Sequence, residues 1–185
     1  MSEILTSIDV RSFLREKEVA FYEALMMYGD YIGLGFSKTL SQNGNYSFFD
    51  GNRLCEDATT ALFVGLRERF RGQIKLGGAK TILSRWGAVM EHTWLRFQVE
   101  GENNMFFVDP TNKQLPKCVG RMVIDYKKNE GLYIPIFGFP INQTGMIISK
   151  IKKYPCIYDP NFPLDQVPSE HLYQRKLQDV FLNRG

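Results

Sequence analysis

Cysteine and histidine are scarce in this chain: Cys55, Cys118, Cys156, His92 and His171 are all it has. An odd number of irregularly spaced cysteines is a poor disulfide framework, and neither Cys-x-x-Cys nor His-x-x-x-His occurs to hold a structural zinc. Nothing reads as a calcium loop, so no metal and no cofactor is expected. No run of about 20 apolar residues is present, which argues against a membrane-spanning helix. The first residues carry acids where a secretory signal needs an apolar stretch, and a reducing, cytoplasmic location is the expectation. Charge of one sign is not in excess either. The 23 Lys and Arg against 20 Asp and Glu leave a net charge of +3, too mild to indicate nucleic acid without a clustered basic face. Lys150, Lys152 and Lys153 read as a solvated strand edge.

Aromatic residues, by contrast, are plentiful: 14 Phe, 9 Tyr and 2 Trp in 185 residues. Such bulky side chains need a large core, a groove or an interface to cover them. A chain that is 44% apolar and 23% charged is globular in composition, and its length suits a single domain over residues 1–185.

The hydrophobic pattern divides this domain into helices first and strands later. Asp9 to Tyr28 places Val10, Phe13, Leu14, Phe21, Ala24, Leu25 and Tyr28 on one helical stripe. Gly29 to Gly51 reads as a long surface connection. A second helix is predicted from about Asn52, a good N-cap residue, with Leu54, Ala58, Ala61, Leu62, Leu66 and Phe70 on its apolar side. Cys55 then falls in the first turn, on or beside the buried face. From Gly87 the period changes to two: Val89, Glu91, Thr93, Leu95, Phe97 and Val99 share one face, and Met90, His92, Trp94, Arg96 and Gln98 the other. A turn at Glu100 to Asn104 leads into a second strand at Met105 to Val108. Short strands are predicted at Met122–Tyr126, Tyr133–Phe137, Met146–Ile151 and Cys156–Tyr158, and a closing helix from Pro168. The sum is an α+β fold in which N-terminal helices pack on an antiparallel sheet.

The hairpin allows a geometric test. A two-residue turn at Glu100-Gly101 pairs residues whose numbers sum to 201 and sets His92 opposite Asp109, with Cβ atoms about 4.5–5.5 Å apart. A four-residue loop gives a sum of 203 and makes them diagonal neighbours on the same face, whereas a five-residue loop separates them. Taken singly, the three candidates have ordinary explanations. A lone cysteine on a helix face is core filling, a histidine between Met90 and Trp94 is a core histidine, and an aspartate before proline ends a strand, as Asp159-Pro160 also shows. Together they make a chemical set. A helix N-terminus favours the thiolate of Cys55, the imidazole of His92 exchanges its proton, and the carboxylate of Asp109 fixes the imidazole tautomer. The Cys55 backbone N–H is a natural oxyanion donor.

Asn-Arg-Leu-Cys55-Glu-Asp-Ala at a helix start, Glu-His92-Thr-Trp94 on a strand and Phe-Val-Asp109-Pro-Thr111 on the next resemble the transglutaminase-like branch of the papain-like cysteine enzymes. The resemblance covers about residues 50–112. It implies a papain-like core, a nucleophilic Cys55, a general base His92, an orienting Asp109 and a thioester made from an amide or ester, with a protein or peptide as the expected substrate. Tyr46, Asn52 and Trp86 are candidates for the second oxyanion donor, and Trp94 for a wall of the site. Glu56 stands where animal crosslinking members carry Trp, so hydrolysis (peptidase, isopeptidase or deamidase) is expected over crosslinking. An arylamine-type N-acetyltransferase has the same residue order but an Arg-Gly-Gly stretch before its cysteine, which this chain lacks. A catalytically inactive peptide-binding relative is the non-enzyme alternative.

Overall fold

In the computed structural model, residues 4–31, 54–85, 88–111, 122–125 and 150–182 are described. Helix α1 runs from Ser7 to Tyr31. Its start is a capping box: the Thr6 amide and hydroxyl both donate to the Asp9 carboxylate, at 2.8 and 2.6 Å. These bonds hold the Asp9 carboxyl below the ordinary carboxylate range. The predicted stripe is the buried one, with Val10, Leu14, Phe21, Leu25 and Tyr28 in the core.

Helix α2, Leu54–Arg69, is buried along nearly its whole length. Its buried polar residues need partners. Thr60 donates to the Glu56 carbonyl, and Thr59 donates across to the Thr93 carbonyl, which fixes α2 to the sheet one residue from His92. Gly65 is required by close approach: a Cβ there would lie 2.4 Å from the Phe181 side chain.

Four strands follow, β1 (Ile74–Arg85), β2 (Ala88–Val99), β3 (Phe106–Val108) and β4 (Val123–Asp125), joined in sequence order as an antiparallel meander. Strand β1 is absent from the sequence expectation, because Gly77, Gly78 and Ala79 give it poor strand propensity. It is held by its ladder to β2 over its full length, from Ile74 opposite Val99 to Arg85 opposite Ala88. Between β2 and β3, Leu95 pairs with Val108 and Phe97 with Phe106. Paired numbers thus sum to 203, not 201. Gly101, at φ 85°, occupies the left-handed conformation in this turn.

After β4 the expectation of strands at Met146–Ile151 and Cys156–Tyr158 is corrected. Residues 150–153 are helical, and Pro155–Tyr158 forms the short helix α3, with Pro155 in the first turn where proline suits a helix. Tyr133–Phe137 lies outside the described residues. Two 3-10 turns, Leu164–Gln166 and Ser169–His171, lead into α4, Leu172–Leu182.

Helices α1, α2 and α4 pack together and α2 packs onto β2, giving a core of Leu14, Phe21, Leu25, Leu62, Leu66, Leu177 and Phe181 joined to Leu95, Phe97 and Val108. The result is the expected α+β class: helices against a small antiparallel sheet. Arg175 of α4 is buried, and its guanidinium donates to the carbonyls of Cys156, Ile157 and Asp159 at 3.2, 2.9 and 2.6 Å, gathering the α3 turn beneath α4.

Candidate functional site

Asp109 follows β3 directly, and its backbone N–H donates to the Met122 carbonyl at 2.8 Å. The side chain is completely buried and both of its oxygens are engaged. Oδ1 accepts from the Thr111 amide at 2.9 Å and from the Thr111 hydroxyl at 3.2 Å, an Asx turn across Pro110. Oδ2 accepts from Nε2 of His92 at 2.6 Å. With a register of 203, His92 and Asp109 are diagonal neighbours. Parity keeps them on one face of the hairpin, so the His–carboxylate bond forms without direct pairing.

His92 is 1% exposed. Burial alone pushes its imidazolium toward losing a proton, but the charge and hydrogen bond of Asp109, joined by the hydrogen bond and charge of Cys55, reverse this and raise its pKa to about 10. With Nε2 committed to Asp109, Nδ1 is the ring nitrogen left for a second group. Among the described residues Nδ1 has no hydrogen-bond partner at ordinary bonding distance, and its contact with the Cys55 thiol is the looser one that acts on the ring. The two are therefore adjacent without a tight bond.

Cys55 is the second residue of α2 and is 1% exposed. Its backbone N–H, in the first turn of the helix, has no carbonyl four residues back within the helix to donate to. The structure thus brings together Cys55, His92 and Asp109. Trp94 joins them on the same side of the hairpin, its ring 4.4 Å from that of Phe107 between centroids. Phe107 pairs with Arg96, not with Trp94 as a register of 201 requires. Tyr46, Asn52 and Trp86, the candidate second oxyanion donors, lie outside the described residues, as does Cys118. Cys156 is a free, half-buried thiol on α3.

His171 is half-buried against Tyr154, with ring centroids 4.8 Å apart, and its Nδ1 bonds to Gln174. That contact leads to a polar cluster absent from the sequence reading. Buried Asp57, two residues after Cys55, accepts from the Tyr28 hydroxyl at 2.5 Å and from Gln174 at 3.2 Å, and forms an ion pair with Lys150. Lys150 is therefore not at a solvated strand edge: it is a partly buried helical residue. The nearest sequence signal was Asp57 itself, an acid on an otherwise buried stretch of helix.

Among the described residues no group of three or more His, Cys, Asp or Glu side chains is placed to hold a metal ion. Among them, too, no helix is long and apolar enough to cross a membrane. Comparison with protein-family models, with curated proteins and with solved structures finds no match for this chain.

Proposed function

We propose that the protein is a cysteine-dependent acyl-transfer enzyme with a papain-like core, which opens an amide bond of a protein or peptide through a Cys55 thioester and then hydrolyses it. The single observation that carries this reading is the buried 2.6 Å bond from His92 to Asp109, with Cys55 beside the same imidazole at the start of α2. A dry His–carboxylate pair holds the ring in one tautomer and stabilises its charged form. The raised basicity of His92 favours imidazolium beside a thiolate.

In the first half-reaction the Cys55 thiolate forms a bond to the amide carbonyl carbon, and the developing oxyanion accepts from the Cys55 backbone N–H. The proton on Nδ1 of His92 then passes to the departing nitrogen as the C–N bond breaks, leaving a thioester and a free amine. In the second, His92 takes a proton from water as its oxygen attacks the thioester. The acid departs and the thiolate returns. Transfer to an amine in place of water would give crosslinking, and transfer from a thioester donor to an arylamine would give acetylation. Glu56 in place of the Trp of crosslinking members, and a sequence in which nothing reads as a calcium loop, favour water.

One observation favours a second reading. Cys55 and His92 are each 1% exposed, as expected for a catalytically inactive relative in which both have become core residues. Intact-mass trapping separates the two. On incubation with cell extract, the enzyme reading expects an acyl adduct on Cys55 that hydroxylamine removes and that Cys55→Ala lacks. The captured acyl group would name the substrate. If no adduct forms, and iodoacetamide at pH 6–7 modifies Cys55 no faster than a free-thiol peptide, the enzyme reading fails.

A further inference from the structure

The first turn of α2 poses an electrostatic conflict. Glu56 and Asp57 follow Cys55 there, where carboxylates gain from the helix dipole. The same carboxylates disfavour a second negative charge beside them, and a Cys55 thiolate is such a charge. Asp57 is also buried, at 5% exposure, so its charge needs compensation. Tyr28 from α1 and Gln174 from α4 supply hydrogen bonds but no charge. Lys150 supplies the charge, reaching Asp57 from the helical segment 150–153 with its side chain 19% exposed.

We propose that Lys150 is a positioning residue for the Cys55 thiolate: by pairing with Asp57 it cancels the carboxylate that would otherwise repel the nucleophile, and it fixes the start of α2. The proposal rests on the acyl-transfer reading of Cys55. Lys150 touches Asp57 and not the reacting atoms, so its effect is exerted through charge. The ion pair with Asp57, two residues along α2 from Cys55, sets the ammonium beside the start of that helix; burial lowers the Lys150 pKa, and the negative charges of Glu56 and Cys55 oppose that drop. Among the described residues, the titratable groups linked to this site are Glu56 and Asp57 from α2, Tyr28 from α1 and Lys150 on Asp57, His92 from β2 with Asp109 after β3, and His171, joined to Asp57 through Gln174. Separate removal of Asp57 and of Lys150 has opposite electrostatic consequences for a thiolate beside them.

The test is the pH–rate profile of Cys55 alkylation by iodoacetamide, followed on the full chain by mass spectrometry with peptide mapping. Reading the midpoint of the profile, and not the absolute rate, removes the slowing that burial imposes equally at every pH. Lys150→Met is expected to raise the midpoint by about one pH unit and Asp57→Asn to lower it. The double variant should return close to wild type, and Lys150→Arg should match wild type. Simple loosening of the fold moves both single variants the same way, so shifts of one sign, or no shift, overturn the proposal. If Lys150→Met does not fold, Asp57→Asn decides: a midpoint that rises or stays put overturns it. A wild-type midpoint equal to that of a free-thiol peptide defeats the acyl-transfer reading whatever the variants do. Lack of opposite shifts defeats the role of Lys150 whatever the wild type does.

Discussion

Asp109-Pro110-Thr111 and Asp159-Pro160-Asn161 are two turns of the same local design. In each, Oδ1 of the aspartate accepts the backbone N–H two residues on, at 2.9 Å. They differ in what the fold brings to the rest of the residue. Asp109 is fully buried and its second oxygen receives His92. Asp159 is exposed, and its backbone carbonyl, not its carboxylate, is held by the buried Arg175. Asp-Pro therefore encodes a turn and nothing more. The hairpin register turns one of these residues into a partner for an imidazole, and α4 turns the other into an anchor for the chain.

The largest effect expected from breaking this comparison is on reactivity. Asp109→Ala removes the acceptor that holds His92 in its charged form beside the thiol, and alkylation of Cys55 at pH 6.5 should fall about a hundredfold as the thiolate fraction drops, the equivalent of about two pKa units of charge stabilisation. Asp159→Ala keeps the backbone carbonyl and should leave that rate within about twofold, since it touches neither His92 nor Cys55. Equal losses in two folded variants would mean that the carboxylate of Asp109 acts only through the turn.

The next effect concerns stability on the Asp159 side. Arg175→Met fills similar volume but leaves the buried carbonyl of Ile157 and the part-buried carbonyls of Cys156 and Asp159 without this donor, and an orphaned buried acceptor costs about 1–3 kcal/mol. Unfolding in urea should therefore show a loss of about 3 kcal/mol. A loss under about 1 kcal/mol would show that the turn at Asp159 holds without α4.

The contrast also explains how much of the site was legible in the sequence. A hairpin offers few registers, and side-chain parity is shared by sums of 201 and 203. His92 and Asp109 could thus be placed on one face before the exact pairing was known. Cys55 was legible because an N-terminal turn follows from the apolar spacing of α2. The double role of Asp109 was half legible: the turn is local, but the bond to His92 spans 17 residues. Strand β1 was hidden because its stability comes from the ladder with β2 and not from residues such as Gly77 and Gly78. Lys150 was hidden for a stronger reason. Its partner Asp57 is 93 positions away, and no periodicity in either segment connects them.

A smaller effect sharpens the electrostatic side of the comparison. The folded-state pKa of His92 is raised to about 10, above the ordinary histidine value near 6.5. The folded chain therefore holds this proton more tightly than the unfolded chain. The resulting stabilisation is fully present below about pH 6.5 and is lost as pH rises through about 10. Urea midpoints of wild type and His92→Gln should accordingly differ most near pH 6 and converge toward pH 10. Wild type and Asp159→Ala should keep a constant difference over that range. A gap between wild type and His92→Gln that widens with pH would have the opposite sign and would show that His92 folds as a neutral ring.

The smallest expected effect isolates the Asx turn itself. Thr111 bonds to Oδ1 of Asp109 through both its amide and its hydroxyl. Thr111→Val keeps the shape and the amide bond and removes only the hydroxyl bond, at 3.2 Å the longer of the two. A hydrogen bond to a charged group contributes about 1.5–3 kcal/mol to stability, but the carboxylate stays in place through the amide and His92. Alkylation of Cys55 at pH 6.5 should fall only about threefold, with the midpoint of its pH profile unchanged. A loss as large as that of Asp109→Ala would mean that the hydroxyl sets the carboxylate rotamer. The difference between the two turns would then lie in Thr111 against Asn161 as much as in the arrival of His92.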